Sequence, residues 1–155
     1  MTRQELLDRL ARAIAENEGF FVTEAQAKAR KIRFPTRAQI NANPGNLRAW
    51  RARGRPYPMN GGYVDFVGWA SHQFPGVPRE EMSRRALDEG WRILRVLAGQ
   101  YIDGLYTGGK PPTVEEMFRT YAPASDGNDP ASYARFVAGR LGVQPDQRLI
   151  DVVTA

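Results

Sequence analysis

The stretch PREEMSRRALDEGWRILRVLAGQYIDGL (78–105) decides the fold. Met82, Leu87, Trp91, Leu94, Leu97, Ala98, Tyr101, Ile102 and Leu105 supply a broad apolar face, which predicts one long helix starting at Pro78. Gly108-Gly109-Lys110-Pro111-Pro112 ends it. Beyond that stop, Thr113 and Glu116 have capping-box spacing for a short helix carrying Val114, Met117, Phe118 and Tyr121. Asp129-Pro130 pairs an N-cap with proline at the first helical position. The helix that follows presents Tyr133, Phe136, Val137 and Leu141 and stops at Gly142. A last turn around Leu149, Ile150 and Val153 closes the chain.

On the N-terminal side, Leu7, Leu10, Ala11, Ile14 and Glu18 fall on one helix face. Thr2 is placed to cap that helix with Glu5 three residues on, and Gly19 to stop it, with Phe20-Phe21 anchoring the exit. Between the two helical regions, Val22 to Pro58 is irregular and basic. It holds KARKIR (28–33), Arg37, and the cluster Arg48, Arg51, Arg53 and Arg55, punctuated by Pro35, Asn43-Pro44-Gly45-Asn46, Gly54, Pro56 and Pro58. Asn60-Gly61-Gly62 signals a hairpin turn, with a strand expected over Tyr63–Val67 and its partner near Leu47–Arg51. Together these readings predict a single mostly helical α+β domain over 1–155 with a small β-hairpin element.

The 155 residues are 42% hydrophobic and 25% charged, an ordinary globular balance, and a chain of this length can bury a core without disulfides. There is no cysteine and one histidine, His72. That excludes a thiol nucleophile, a thiolate zinc site and a multi-histidine metal centre, so no metal or cofactor is expected. A Ser–His–Asp triad would have to use His72, and no GxSxG elbow accompanies it. His72 reads as an exposed loop residue. Among hydrolytic mechanisms, carboxylate chemistry remains.

The net charge of +5 favours polyanionic partners such as nucleic acid, an anionic membrane or an anionic wall polymer. No apolar run reaches membrane-spanning length. The opening MTRQELLDRLARAIAENEG (1–19) reads as an amphipathic helix rather than a signal peptide. A protein of this kind, made in the cytoplasm and acting outside it, would be carried by another system.

Of the 17 acidic residues, Glu18 has the strongest physical case for acid–base work. It follows Ile14 by four on the apolar stripe and abuts Gly19-Phe20-Phe21. A carboxyl held against apolar groups at a helix C-terminus is expected to keep its proton to higher pH, as a general acid must. Glu16, four after Arg12, reads as a solvated ion-pair partner. Asp65, on the expected strand, is a possible second carboxylate. Asp126 and Asp129 flank a loop, and Asp129 is better explained as an N-cap.

Four segments resemble a group of phage and prophage proteins with a lysozyme-like fold, described as virion structural or lytic transglycosylase-like proteins. These are Ala13-Ile14-Ala15-Glu16-Asn17-Glu18-Gly19-Phe20, then Asn41-Ala42-Asn43-Pro44-Gly45-Asn46-Leu47-Arg48, then Gly62-Tyr63-Val64-Asp65-Phe66 with Glu89-Gly90-Trp91. The fourth runs from Tyr121-Ala122-Pro123 through Asn128-Asp129-Pro130 to Tyr133. They span residues 13–142 in the family's order. Ala42 departs from the family's run of three asparagines, and the Phe66–Gly90 segment is longer.

The resemblance implies a lysozyme-like domain that cuts the β-1,4 bond between N-acetylmuramic acid and N-acetylglucosamine, with Glu18 as the catalytic acid. Its partners would be peptidoglycan glycan strands, with other virion or delivery-system proteins, and its place the virion or the cell wall. Asn43 and Asn46 would pin a turn around Pro44-Gly45, or hydrogen-bond N-acetyl groups. Arg48 would meet a muramyl carboxylate and Trp50 would stack on a sugar or pack in the core. Tyr121 and Tyr133 fall at core positions from which a hydroxyl would reach toward the acid, and Trp91 reads as core. The rival readings are a non-enzymatic virion or wall-binding protein with the same fold, and a basic nucleic-acid-binding module. No recognition motif supports the latter.

Overall fold

In a computed structural model the chain is mostly helical, with two small antiparallel strand pairs. Residues 1–52 and 55–154 are described; of the basic cluster, Arg53 lies outside them. The helices are α1 (Arg3–Asn17), α2 (Glu24–Arg30), α3 (Arg37–Ile40), α4 (Phe66–Gln73), α5 (Arg79–Ile102), α6 (Val114–Tyr121) and α7 (Pro130–Leu141). The strands are β1 (Arg51–Ala52), β2 (Arg55–Pro56), β3 (Met59–Asn60) and β4 (Tyr63–Val64), paired β1 with β2 and β3 with β4.

The fold divides into two compact units, Met1–Asn17 with Arg95–Ala155, and Glu18–Leu94. The first is helical. Its core is built from Leu6, Leu10 and Ile14 of α1, Val114, Met117 and Phe118 of α6, and Tyr133, Val137 and Leu141 of α7, all buried. Local signals set the helix starts. Thr2 and Glu5 exchange side-chain bonds, at 2.7 and 3.1 Å. Thr113 and Glu116 form the expected capping box, and Asp129 caps α7 through the Ser132 amide with Pro130 at the first position. The bond from Thr2 holds the Glu5 carboxyl below its usual range. Gly142, in the left-handed region, ends α7.

The second unit differs from the sequence expectation in three ways. The strand expected over Tyr63–Val67 stops at Val64, because Asp65 caps α4 by accepting the Gly68 amide at 3.0 Å. A β-rich composition there conceals a helix whose Phe66 and Ala70, four apart, are both fully buried. Secondly, the hairpin partner is Met59–Asn60 across Gly61-Gly62, and Leu47 meets the hairpin through its carbonyl, which accepts from the Val64 amide at 2.8 Å. Arg48 and Trp50 therefore lie in irregular chain, not on a strand. Thirdly, the basic region holds two short helices, α2 and α3, each opened by a Thr/Gln capping box. His72 is exposed, but on α4 rather than in a loop.

Candidate functional site

Glu18 lies one residue past the end of α1 and is half-buried. The segment around it is fixed by the start of α3. Thr36 Oγ1 donates to the Gly19 carbonyl at 3.0 Å, and Gln39 Nε2 donates to the carbonyls of Phe20 (3.0 Å) and Val22 (2.8 Å). The same two side chains form the capping box of α3, so one pair both starts a helix and holds the Glu18 turn. Gly19 turns the chain at φ +80°, where a side chain would be strained.

Asn46 faces Glu18. Its Nδ2 donates to Glu18 Oε2 at 3.4 Å. Asn46 itself occupies the left-handed region at φ +47°, which Asn tolerates better than most residues. Its Oδ1 is shut from solvent with no hydrogen-bond partner, and so is Trp50 Nε1. Such orphaned groups are costly and uncommon in folded proteins.

The turn that presents Asn46 is pinned by Asn43, which is 0% exposed. Asn43 Oδ1 accepts from the Leu47 amide at 2.9 Å, and its Nδ2 donates to the carbonyls of Leu47 (3.0 Å) and Val64 (3.1 Å). Of the two amides that flank Pro44-Gly45, one is held inside the loop and the other meets the carboxyl. Asn41, also buried, accepts from Asn60 Nδ2 at 3.0 Å and ties the loop to the β3–β4 hairpin.

Helix α5 backs this loop through three consecutive residues. Glu89 accepts from the Tyr57 hydroxyl at 3.0 Å and pairs with Arg92. Burial, reinforced by Glu89, pushes the Tyr57 phenol up to about 12. Gly90 lies against the Ala42 carbonyl so closely that a Cβ there would overlap it and stand 2.9 Å from Pro44 Cδ. Trp91, half-buried rather than core, meets Phe20 edge-on at 5.6 Å and lies 6.1 Å from the more exposed Phe21. An aromatic cluster thus adjoins the turn that carries Glu18.

Arg48 is exposed, its guanidinium 5.6 Å from the Tyr63 ring centre, with Arg37 at 4.3 Å on the same ring. Asp65 is the α4 N-cap described above. Tyr121 and Tyr133 belong to the other unit. There Tyr133 is buried, stacks on Phe118 at 4.5 Å and donates to the Ile14 carbonyl at 3.5 Å, while Tyr121 meets Tyr101, Phe118 and Tyr133 edge-on. Sequence reasoning missed Thr36, Gln39 and Tyr57, for which the one local signal was the Thr36–Gln39 capping-box spacing. Glu89 and Gly90 entered only within the Glu89-Gly90-Trp91 segment of the resemblance, with no role assigned to either.

No protein-family model, no curated protein and no solved structure matches this chain.

Proposed function

We propose that the protein is a peptidoglycan-cleaving glycosidase of lysozyme-like fold, acting on the bond between N-acetylmuramic acid and N-acetylglucosamine with Glu18 as general acid. The observation that carries this reading is the Glu18–Asn46 pair. A half-buried carboxyl directly after a helix is met by an amide from a loop whose other asparagine is locked. The Asn46 amide has a donor for the carboxylate and, turned over, an acceptor for the carboxylic acid. It therefore suits a group that loses and regains a proton in each turnover. The Phe20–Phe21–Trp91 cluster supplies apolar ring surface of the kind sugars pack against.

In this mechanism Glu18 protonates the glycosidic oxygen as the C–O bond breaks and oxocarbenium character develops on the muramyl carbon. Glu18, now a carboxylate, takes a proton from the muramyl 6-hydroxyl as that oxygen attacks, giving a 1,6-anhydro product. A hydrolytic enzyme would instead need a second carboxylate to serve the water. We favour the transglycosylase route because Asp65 already serves as a helix cap.

Mass spectrometry of purified peptidoglycan after incubation with wild type and Glu18→Gln tests the reading. Anhydro-muropeptides from wild type alone are expected. Reducing-end muropeptides would make the enzyme a muramidase. Release by both proteins would remove Glu18 from the mechanism. Release by neither, with both folded, would favour a non-enzymatic virion or wall-binding protein.

A further inference from the structure

Positive charge is segregated along the chain. From Ala25 to Val64 there are nine Lys and Arg residues and no Asp or Glu, so the remaining residues carry net −4 although the whole chain is +5. Among the described residues elsewhere, eight of the twelve arginines pair with carboxylates, among them Arg3 with Asp103, Arg85 with Glu81, Arg92 with Glu89 and Arg140 with Glu16. Among the described residues, no carboxylate pairs with Lys28, Arg30, Lys31 or Arg33, and all four are exposed. Lys28 and Arg30 sit in the last turn of α2, where they also favour the helix dipole. Lys31 and Arg33 lie beyond it, and that explanation does not reach them.

The same segment exposes large apolar side chains between the charges. Ile32 is 47% and Phe34 43% exposed, in the order Lys31-Ile32-Arg33-Phe34-Pro35. They are held out by a fixed backbone. The Ile32 amide bonds the Ala27 carbonyl at 3.0 Å on one side, and the Thr36–Gln39 capping box anchors the other. Exposed apolar tips set among unpaired cations match the two parts of a bilayer interface, anionic headgroups and acyl chains. Base stacking would instead call for a series of open aromatic rings; this segment exposes a single one, Phe34, beside the aliphatic Ile32, and the Tyr63 ring is covered by the guanidiniums of Arg37 and Arg48.

We propose that residues 28–37 form a docking surface for an anionic phospholipid bilayer, with Ile32 and Phe34 entering the headgroup–acyl boundary and Lys28, Arg30, Lys31, Arg33 and Arg37 meeting the phosphates. This goes beyond the glycosidase reading and does not depend on Glu18. Docking of this kind would hold the chain at the membrane face without any membrane-crossing segment; no helix among the described residues is long and apolar enough to cross one.

The test is co-sedimentation of the full chain with vesicles of equimolar phosphatidylglycerol and phosphatidylcholine, and with phosphatidylcholine alone. Wild type is expected to bind the first and not the second. The double variant Ile32→Ser/Phe34→Ser should lose about tenfold in partitioning with unchanged thermal unfolding, since both side chains are already half in water. Lys31→Ala/Arg33→Ala should lose about twenty-five-fold, roughly fivefold for each charge. Two results overturn the proposal: no binding to the anionic vesicles, or binding that the apolar double variant retains in full. In the latter case duplex DNA binding equally well to wild type and double variant would identify a general polyanion surface.

Discussion

Asn46 Nδ2 donates to Glu18 Oε2 at 3.4 Å across 28 residues of chain, and this contact joins the Glu18-Gly19 turn to the Pro44-Gly45 turn within the second unit. Its two members are positioned independently. Glu18 is set by the Thr36 and Gln39 bonds to the turn around it, and Asn46 by the Asn43 clamp. Neither residue reaches the other through local structure alone.

Asn46→Gly isolates this bond from its backbone. Glycine accepts φ near +47° at no cost, so the turn survives and only the amide is lost. A hydrogen bond to a charged group contributes about 1.5–3 kcal/mol, and the 3.4 Å length puts this one at the lower end. Wall cleavage should fall about tenfold, and Tm by roughly 3–6 °C, because the same bond also contributes to folding. Full activity in Asn46→Gly would mean that Glu18 needs no help from this side chain.

Gly90→Ala probes the support behind the turn. In an exposed helix the change gains about 1 kcal/mol of helix propensity. Here the added Cβ would overlap the Ala42 carbonyl and crowd Pro44, both backbone-linked parts of the turn that cannot swing aside. Overpacking of this kind costs about 1–3 kcal/mol, so net destabilisation is expected despite the better helix former. Denaturant unfolding measures the sign directly. A stabilised Gly90→Ala would show that the turn yields freely.

Asn43→Ala removes the clamp itself. It deletes the bond from the Leu47 amide and both bonds to the carbonyls of Leu47 and Val64, in a site closed to water. Leaving buried groups unpaired costs about 1–3 kcal/mol each when nothing replaces the partner. A fall of roughly 5–10 °C in Tm is expected for a chain of this size, with activity falling too as Asn46 loses its register. An unchanged Tm would contradict the structural role given to Asn43.

Local signals in the sequence carried the helical frame well. The caps at Thr2, Thr113 and Asp129 and the stop at Gly142 all rest on short-range chemistry, and all appear. Glu18 was singled out by its spacing of four from Ile14, although α1 ends one residue before it. Asn43 and Asn46 were not separable by any local rule. Both flank the same Pro-Gly, and which amide turns inward is decided by the Val64 carbonyl arriving from the hairpin. Asp65 misled for a related reason: Val64, Phe66 and Val67 have strand composition, while the carboxylate cap and the burial of Phe66 and Ala70 favour a helix. Tyr57, Glu89 and Gly90 act through tertiary contacts, so their roles had no local signal, although Glu89 and Gly90 fell within a segment of the resemblance.

Tyr57→Phe gives the alkaline prediction. The folded chain keeps the Tyr57 proton up to about pH 12, whereas an unfolded tyrosine titrates near 10. The folded state therefore binds that proton more tightly. Its stabilisation is fully present below about pH 10 and is lost as pH rises toward about 12. Phenylalanine keeps the ring contacts with Phe66 and Trp69 but gives up the bond to Glu89, costing about 1 kcal/mol at neutral pH. The difference in unfolding free energy between wild type and Tyr57→Phe should thus be constant from neutral pH to about pH 9 and shrink above about pH 10. Tyr101, whose phenol burial also pushes up to about 12, leaves a residual alkaline slope in the variant. Chemical denaturation across that range is the measurement. A gap that stays constant through about pH 11 would mean that Tyr57 does not hold its proton against Glu89 in the way its burial and hydrogen bond require.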